Sequence, residues 1–143
     1  MQTYVNGICG KCEGEKMNIN QCSKEYRDYL QSERWRKIQL MVKERDRGCC
    51  QICGSKEQRG MQVHHANSLG RFHEENHLNT VILICDRCHT KYHTFMKRRD
   101  FLRENMGKRI NPLIEKEYRE YLRENQSFID FYFARCYEIG CFD

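Results

Sequence analysis

Four cysteines and four histidines between residues 50 and 93 carry the chemistry this sequence can do. Cys50/Cys53 and Cys85/Cys88 form two C-x2-C pairs with 31 residues between them. Four thiolates so arranged suit a tetrahedral zinc ion with sulfur at about 2.3 Å. Sulfur fills every position, so such a site holds a fold together rather than reacting. Its binding energy becomes folding energy. Between the pairs stand His64 and His65, and after them come His89 and His93 at i, i+4 spacing. Neighbours in a strand point to opposite faces, so His64 and His65 can do different jobs. Residues one helical turn apart share a face, so His89 and His93 can converge on one ion. Imidazole ligands with open positions suit a divalent cation that keeps exchangeable water. His73 and His77, in the polar stretch between the pairs, read as solvated or core residues.

The elements that must position these groups are legible from pattern. Met61-Gln62-Val63 reads as a short strand leading into His64 and His65. Residues 66–79 are polar and read as a loop. The β-branched run Thr80–Ile84 reads as a second strand that delivers Cys85. A helix is expected from Asp86 or Arg87 to about Asn105, carrying His89 and His93 with Tyr92, Phe95 and Met96. The order strand, loop, strand, helix, with zinc at its base, predicts an α+β chain whose core is flanked by helices on both sides. Cys49 reads as a spare thiol beside the first knuckle.

Upstream, residues 23–47 read as helix, with Tyr26, Tyr29 and Leu30 in one apolar cluster. Ser32 is a candidate N-cap for a second helix whose Trp35, Ile38, Met41 and Val42 make an apolar face. That face is expected to pack on the back of the motif, and Gly48 to end the helix. Downstream, Gly107 breaks the long helix, and Asn111-Pro112 opens another as N-cap and first helical residue. Leu113, Ile114, Tyr118, Tyr121 and Leu122 give it an apolar face. Its KEYREYL (116–122) nearly repeats KEYRDYL (24–30), too short a match to argue duplication. The aromatic-rich residues 127–142 read as a further helix, and could also form the surface of a homodimer. The chain thus divides into a cysteine-containing segment 1–22, packing helices 23–48, a core 49–105 and a helical extension 106–143.

Composition sets the remaining bounds. Of 143 residues, 39% are hydrophobic and 31% charged, so the core is modest and a metal staple would offset the deficit. Ten cysteines would suggest disulfides in a secreted chain. The first residues, MQTYVNGICG, lack the basic-then-apolar pattern of a secretory signal, so the cysteines read as metal ligands in a reducing, cytoplasmic setting. No apolar run reaches membrane-spanning length. Cys9, Cys12 and Cys22, with glycines around the C-x2-C pair, offer three ligands of a second zinc site. Cys136 or Cys141 could supply the fourth if the chain ends meet; the alternative is a reduced N-terminal segment. The net charge is only +5, but residues 97–109 set Lys97, Arg98, Arg99, Arg103, Lys108 and Arg109 against Asp100 and Glu104. A basic stretch of this kind suits a polyanion such as nucleic acid, or is a solvated helix face.

CQIC, VHH, VILICDRCH and the trailing His93 together resemble the HNH endonucleases, the ββα-metal nucleases, of the four-cysteine zinc type. The upstream YRDYLQSERW with VKERDRGCCQIC is similar to the leader of many phage and bacterial members. The resemblance covers roughly residues 26–93, about half the chain. It implies that His65 is the general base, that His64 and His89 hold a divalent cation (Mg²⁺, Mn²⁺ or Ni²⁺), and that His93 is a third ligand. The family's middle Asn lies nine residues before the helical His. Thr80 stands at that position here, and Asn79 is one residue off. Either Thr80 takes the loop-orienting role, or a one-residue bulge brings Asn79 in. The resemblance further implies a DNA endonuclease leaving 5′-phosphate and 3′-hydroxyl ends, working in a bacterial or phage-infected cell. The rival expectation is a zinc-containing nucleic-acid-binding protein that does not cleave.

Overall fold

The computed structural model describes residues 19–141. Helices α1 (Ile19–Leu30) and α2 (Glu33–Arg45) lead to strand β1 (Gln62–His65). Strand β2 (Val81–Ile84) and helices α3 (Asp86–Glu104), α4 (Pro112–Glu124) and α5 (Gln126–Glu138) follow. The chain is α+β, as its pattern predicts. The strands pair antiparallel in the register Gln62↔Ile84, Val63↔Leu83, His64↔Ile82, His65↔Val81.

A two-stranded hairpin is marginal alone, so both its faces must be covered. All four residues of β2 are buried, and their period-2 alternation sorts them into two cores. Val81 and Leu83 meet Trp35, Ile38 and Val42 of α2. Ile82 and Ile84 meet Cys50, Ile52, Phe95 of α3, and Ile129 and Tyr132 of α5. Each fully buried aliphatic side chain contributes about 1.5–3 kcal/mol.

α2 forms where the caps and the apolar spacing agree. Ser32, with extended backbone, accepts from the Trp35 N–H at 3.2 Å, and Trp35, Ile38 and Val42 face inward. The C-terminal end of α2 then fastens β2. Asp46 accepts from the Leu83 N–H at 2.9 Å, and Arg45 donates to the Val81 carbonyl at 2.6 Å. The capping at Asn111-Pro112 is also realised, with the Leu113 N–H donating to Asn111 at 2.9 Å. Arg98 of α3 lies over the rings of Tyr118 and Tyr121 of α4, at 4.9 and 4.5 Å.

The segment after Asn105 belongs to the same core as the hairpin. Tyr132, Cys136, Ile129 and Cys141 are buried in it. Arg135 reaches the first knuckle, donating to the Gln51 carbonyl at 3.0 Å and its side-chain oxygen at 3.1 Å. The chain end is tied down twice, by Asn79 to the Gly140 carbonyl at 3.1 Å and by Asn67 to the Cys141 carbonyl at 3.2 Å. Phe131, Phe133 and Tyr137, on the outer side of α5, stay exposed. No described helix is long and apolar enough to cross a membrane.

Candidate metal centre and active site

The cysteine cluster is built by two turns. In the first, the Gly54 N–H returns to the Cys50 carbonyl at 2.9 Å, with Gly54 at φ +78, and the Cys53 N–H approaches the Cys50 sulfur at 3.5 Å. In the second, Cys85 is the N-cap of α3 and its sulfur accepts from the Cys88 N–H at 3.4 Å. The Gln51 N–H joins the first turn to β2 by donating to the Leu83 carbonyl at 2.9 Å. The four sulfurs all lie within 4.8 Å of one another. Cys53 and Cys85 Sγ are 3.7 Å apart, and sulfurs about 2.3 Å from a tetrahedral zinc are separated by about 3.8 Å. Burial pushes the Cys85 and Cys88 thiols up, and their crowding with the other cysteines holds Cys88 there. Four thiols so close do not ionise together without a cation, and a dication supplies the missing charge. The donor set therefore fits zinc.

The second cluster lies on the α3/α5 face of the hairpin. His64 shares that face with its cross-strand partner Ile82. α3 presents His89 and His93, with Nε2 atoms 2.8 Å apart. The His64 ring meets them edge-on, centroids at 5.1 and 5.6 Å, and donor atoms of all three residues lie within 4.8 Å of one another. Metal–nitrogen bonds of about 2.0–2.1 Å set at right angles separate two nitrogens by about 2.9 Å, so the His89–His93 pair fits adjacent corners of one coordination sphere. Burial, with the neighbouring imidazoles, drives the His64 pKa well below its ordinary value. Burial also lowers His89, and burial with His89 and Lys97 takes His93 to about 4. All three rings are neutral at pH 7, which leaves lone pairs for a cation. His64 is buried, His89 half-buried and His93 exposed, so the cluster opens toward solvent on the helix side.

His65 goes the other way. Its ring stacks on Trp35, centroids 5.4 Å apart and planes 10° from parallel. Its Nε2 meets the Glu74 carboxylate at 3.0 Å. Glu74 is fully buried and accepts also from the Tyr29 hydroxyl of α1 and from the Phe72 N–H at 3.1 Å. Burial alone would raise the Glu74 carboxyl, but the bonds from His65 and Tyr29 outweigh it and hold the group ionised. The clamp costs backbone strain: Phe72 sits at φ +70, in the left-handed region that disfavours a bulky residue. Glu74 was not foreseen. It lies in a polar stretch read as irregular loop, which here winds through three short 3-10 turns, Ser68–Gly70, Glu74–Asn76 and Leu78–Thr80. Nothing in EEN distinguishes the buried Glu74 from the exposed Glu75.

Thr80 and Asn79 part company. Thr80 is buried inside the loop; its hydroxyl donates to the His77 carbonyl at 2.6 Å, and its carbonyl accepts from Ala66 and Asn67 at 2.9 and 3.2 Å. Gly70 packs so closely here that a Cβ on it would lie 2.4 Å from His77 Cβ and 2.9 Å from the Thr80 hydroxyl. Asn79 instead faces the chain end. His73 and His77 are exposed at the 3-10 turns. Cys49 keeps its thiol against the Arg47 carbonyl at 3.4 Å. Lys97, Arg103, Lys108 and Arg109 are exposed. Arg98 pairs with Glu117 at 3.5 Å, and Arg99 with Asp100 at 3.0 Å. Cys9 and Cys12 lie outside the described residues, as does the side chain of Cys22.

Residues 50–95 match the family model described as HNH endonuclease. This segment is similar to an HNH domain. The match holds both C-x2-C pairs, His64, His65, His89 and His93, and it ends before α4 and α5 begin. No curated protein and no solved structure matched the chain. An HNH domain points to a nuclease-type or nucleic-acid-related function with metal sites. In this chain Trp35 and Tyr29 before the domain, and Tyr132 after it, touch the histidines or their carboxylate.

Proposed function

We propose that this protein is a metal-dependent DNA endonuclease that hydrolyses phosphodiesters with one divalent cation and a histidine base. The observation that carries this reading is the pairing of two unlike histidine environments on one strand. His64, with His89 and His93, offers three neutral nitrogens to one point. His65, one residue on, is held between an indole and a buried carboxylate. A binding module needs neither.

A bound cation at His64, His89 and His93 would neutralise charge on the scissile phosphate and the leaving 3′ oxygen. His65 takes the proton of the attacking water at the ring nitrogen that Glu74 does not occupy. Glu74 fixes the orientation of the ring and stabilises the imidazolium as it forms. Thr80 keeps the loop closed beside it, in the place the family gives to Asn. The exposed Lys97, Arg103, Lys108 and Arg109 lie along and beyond the same helix that carries His89 and His93, and would hold flanking phosphates. Products would carry 5′-phosphate and 3′-hydroxyl ends. Supercoiled plasmid incubated with the zinc-loaded protein and Mg²⁺, Mn²⁺ or Ni²⁺ should be nicked or linearised. Plasmid that is bound but left intact with every ion would replace this reading with the non-cleaving one, and parallel RNA substrates distinguish the nucleic acid.

A second zinc site joins this proposal. Cys136 and Cys141 are both buried, and Gly140 at φ +87 turns the chain so that the Cys141 N–H returns to the Cys136 carbonyl at 2.9 Å. The two thiols are in hydrogen-bonding contact. One of them would supply the fourth ligand that the Cys9/Cys12/Cys22 group lacks. With no ion added for the histidine cluster, elemental analysis should then find two zincs per chain, falling to one in Cys9→Ser/Cys12→Ser. One zinc in the unaltered chain would remove the second site.

A further inference from the structure

The His64 ring is not held by the HNH-like segment alone. Its Nε2 lies 2.7 Å from the hydroxyl of Tyr132, on α5, some 37 residues past the matched segment. His64 is 4% exposed and Tyr132 0%, so no water competes for this contact. The rings of His64, Tyr92 and Tyr132 pack together, with Tyr92 and Tyr132 centroids 4.3 Å apart. We propose that Tyr132 is a positioning residue for the metal centre: its oxygen accepts the Nε2 proton of His64, which leaves the Nδ1 lone pair for the cation.

The argument is one of proton count. A neutral imidazole carries one N–H and one lone pair. A nitrogen buried against a hydroxyl at 2.7 Å is not also free for an ion. The Tyr132 hydroxyl has a single proton, and Tyr92 and Cys136 are both within its hydrogen-bonding reach, which gives that proton another acceptor. The Tyr132 oxygen can then accept from His64. Metal-bound histidines depend in this way on a partner at the second ring nitrogen, and loss of such a partner typically weakens metal binding 10–100-fold. The partner is usually a carboxylate, a carbonyl or water; here it comes from the C-terminal extension. The extension would thereby be part of the metal centre and not only a cover for the hairpin.

This inference rests on the metal-dependent reading of the histidine cluster, and the experiment separates the two. Ni²⁺ is titrated by calorimetry into zinc-loaded full-length protein and into its Tyr132→Phe variant, with thermal unfolding measured on both. The expected result is a site in the unaltered chain that weakens about 10–100-fold in the variant, with the cysteine-bound zinc retained. Equal Ni²⁺ affinity in both proteins overturns the role of Tyr132 and leaves the metal reading standing. No Ni²⁺ site in the unaltered chain overturns both. Ring ¹⁵N spectra of the unaltered, histidine-labelled protein provide a readout that does not depend on the variant folding. His64 should carry its proton on Nε2, and a proton found on Nδ1 overturns the assignment.

Discussion

His65→Ala should lower the rate of plasmid cleavage by about 10²–10⁴-fold, the range expected when a positioned general base is removed. The loss should appear at saturating metal, because His65 does not belong to the cluster that would hold the ion. Its ring faces Trp35 and Glu74, whereas His64, His89 and His93 meet on the opposite side of β1. Metal affinity in His65→Ala should therefore stay near that of the unaltered protein. His89→Ala should instead lose both metal affinity and cleavage. Glu74→Gln should fall between, because it keeps the loop's shape and hydrogen-bonding capacity but removes the charge that favours the imidazolium. A His65→Ala protein that cuts as fast as the unaltered chain would refute the base assignment. One that loses metal binding equally would show that the two faces of β1 are not independent. The same substitution empties the space between Trp35 and Glu74 and leaves a buried carboxylate short of a partner, which costs about 1–3 kcal/mol. Circular dichroism must accompany the assay, so that lost folding is not counted as lost catalysis.

The larger effect on stability should come from the cysteines. Cys88→Ser, or removal of zinc with a strong chelator under reducing conditions, should abolish the cooperative thermal transition of the hairpin and α3. Structural zinc sites contribute an apparent 10–16 kcal/mol at neutral pH. A domain typically has only about 5–15 kcal/mol in total, so this loss exceeds what the core can absorb. The packing explains why the damage spreads. Cys50, Cys85 and Cys88 are members of the same buried cluster as Ile82, Ile84, Phe95, Ile129 and Tyr132. Unlinking the two turns frees β2 from the first knuckle and α3 from β2 at once. Far-ultraviolet circular dichroism during chelation, with zinc release followed by a chromophoric chelator, checks this. A zinc-free protein with an unchanged melting temperature would mean that the cluster is a passive feature of the fold.

Much of this molecule was legible in its sequence. The two C-x2-C pairs, the β-branched run 80–84, the i, i+4 histidines and the caps at Ser32 and Asn111 are local signals. Covalent spacing and hydrogen bonding within a few residues act on them directly. The separation of His64 from His65 was legible too, because strand side chains alternate whatever surrounds them, and the register with Ile82 and Val81 bears it out. The loop 66–79 was less so. Its 3-10 turns have no strong periodicity; Gly70 and Thr80 pack on each other and on His77 within the loop, and Glu74 turns inward to His65 and Tyr29. Trp35 shows the limit well. Its helical spacing marks it as a core residue, which it is, but spacing carries no hint that its indole lies flat on His65.

The sequence by itself determined the inventory: four sulfurs at zinc spacing, two imidazoles one helical turn apart, two more on opposite faces of a strand, and the helices and strands that carry them. Each follows from chain geometry over short distances. Only the tertiary structure decided the partners. Glu74 comes to His65 and Tyr29 to Glu74, Tyr132 comes to His64, and Asn67 and Asn79 clasp the turn at Gly140 and Cys141. These contacts span from 9 to 74 residues along the chain. They arise because two buried faces of one small hairpin each need covering, and whichever helices cover them bring their polar groups along.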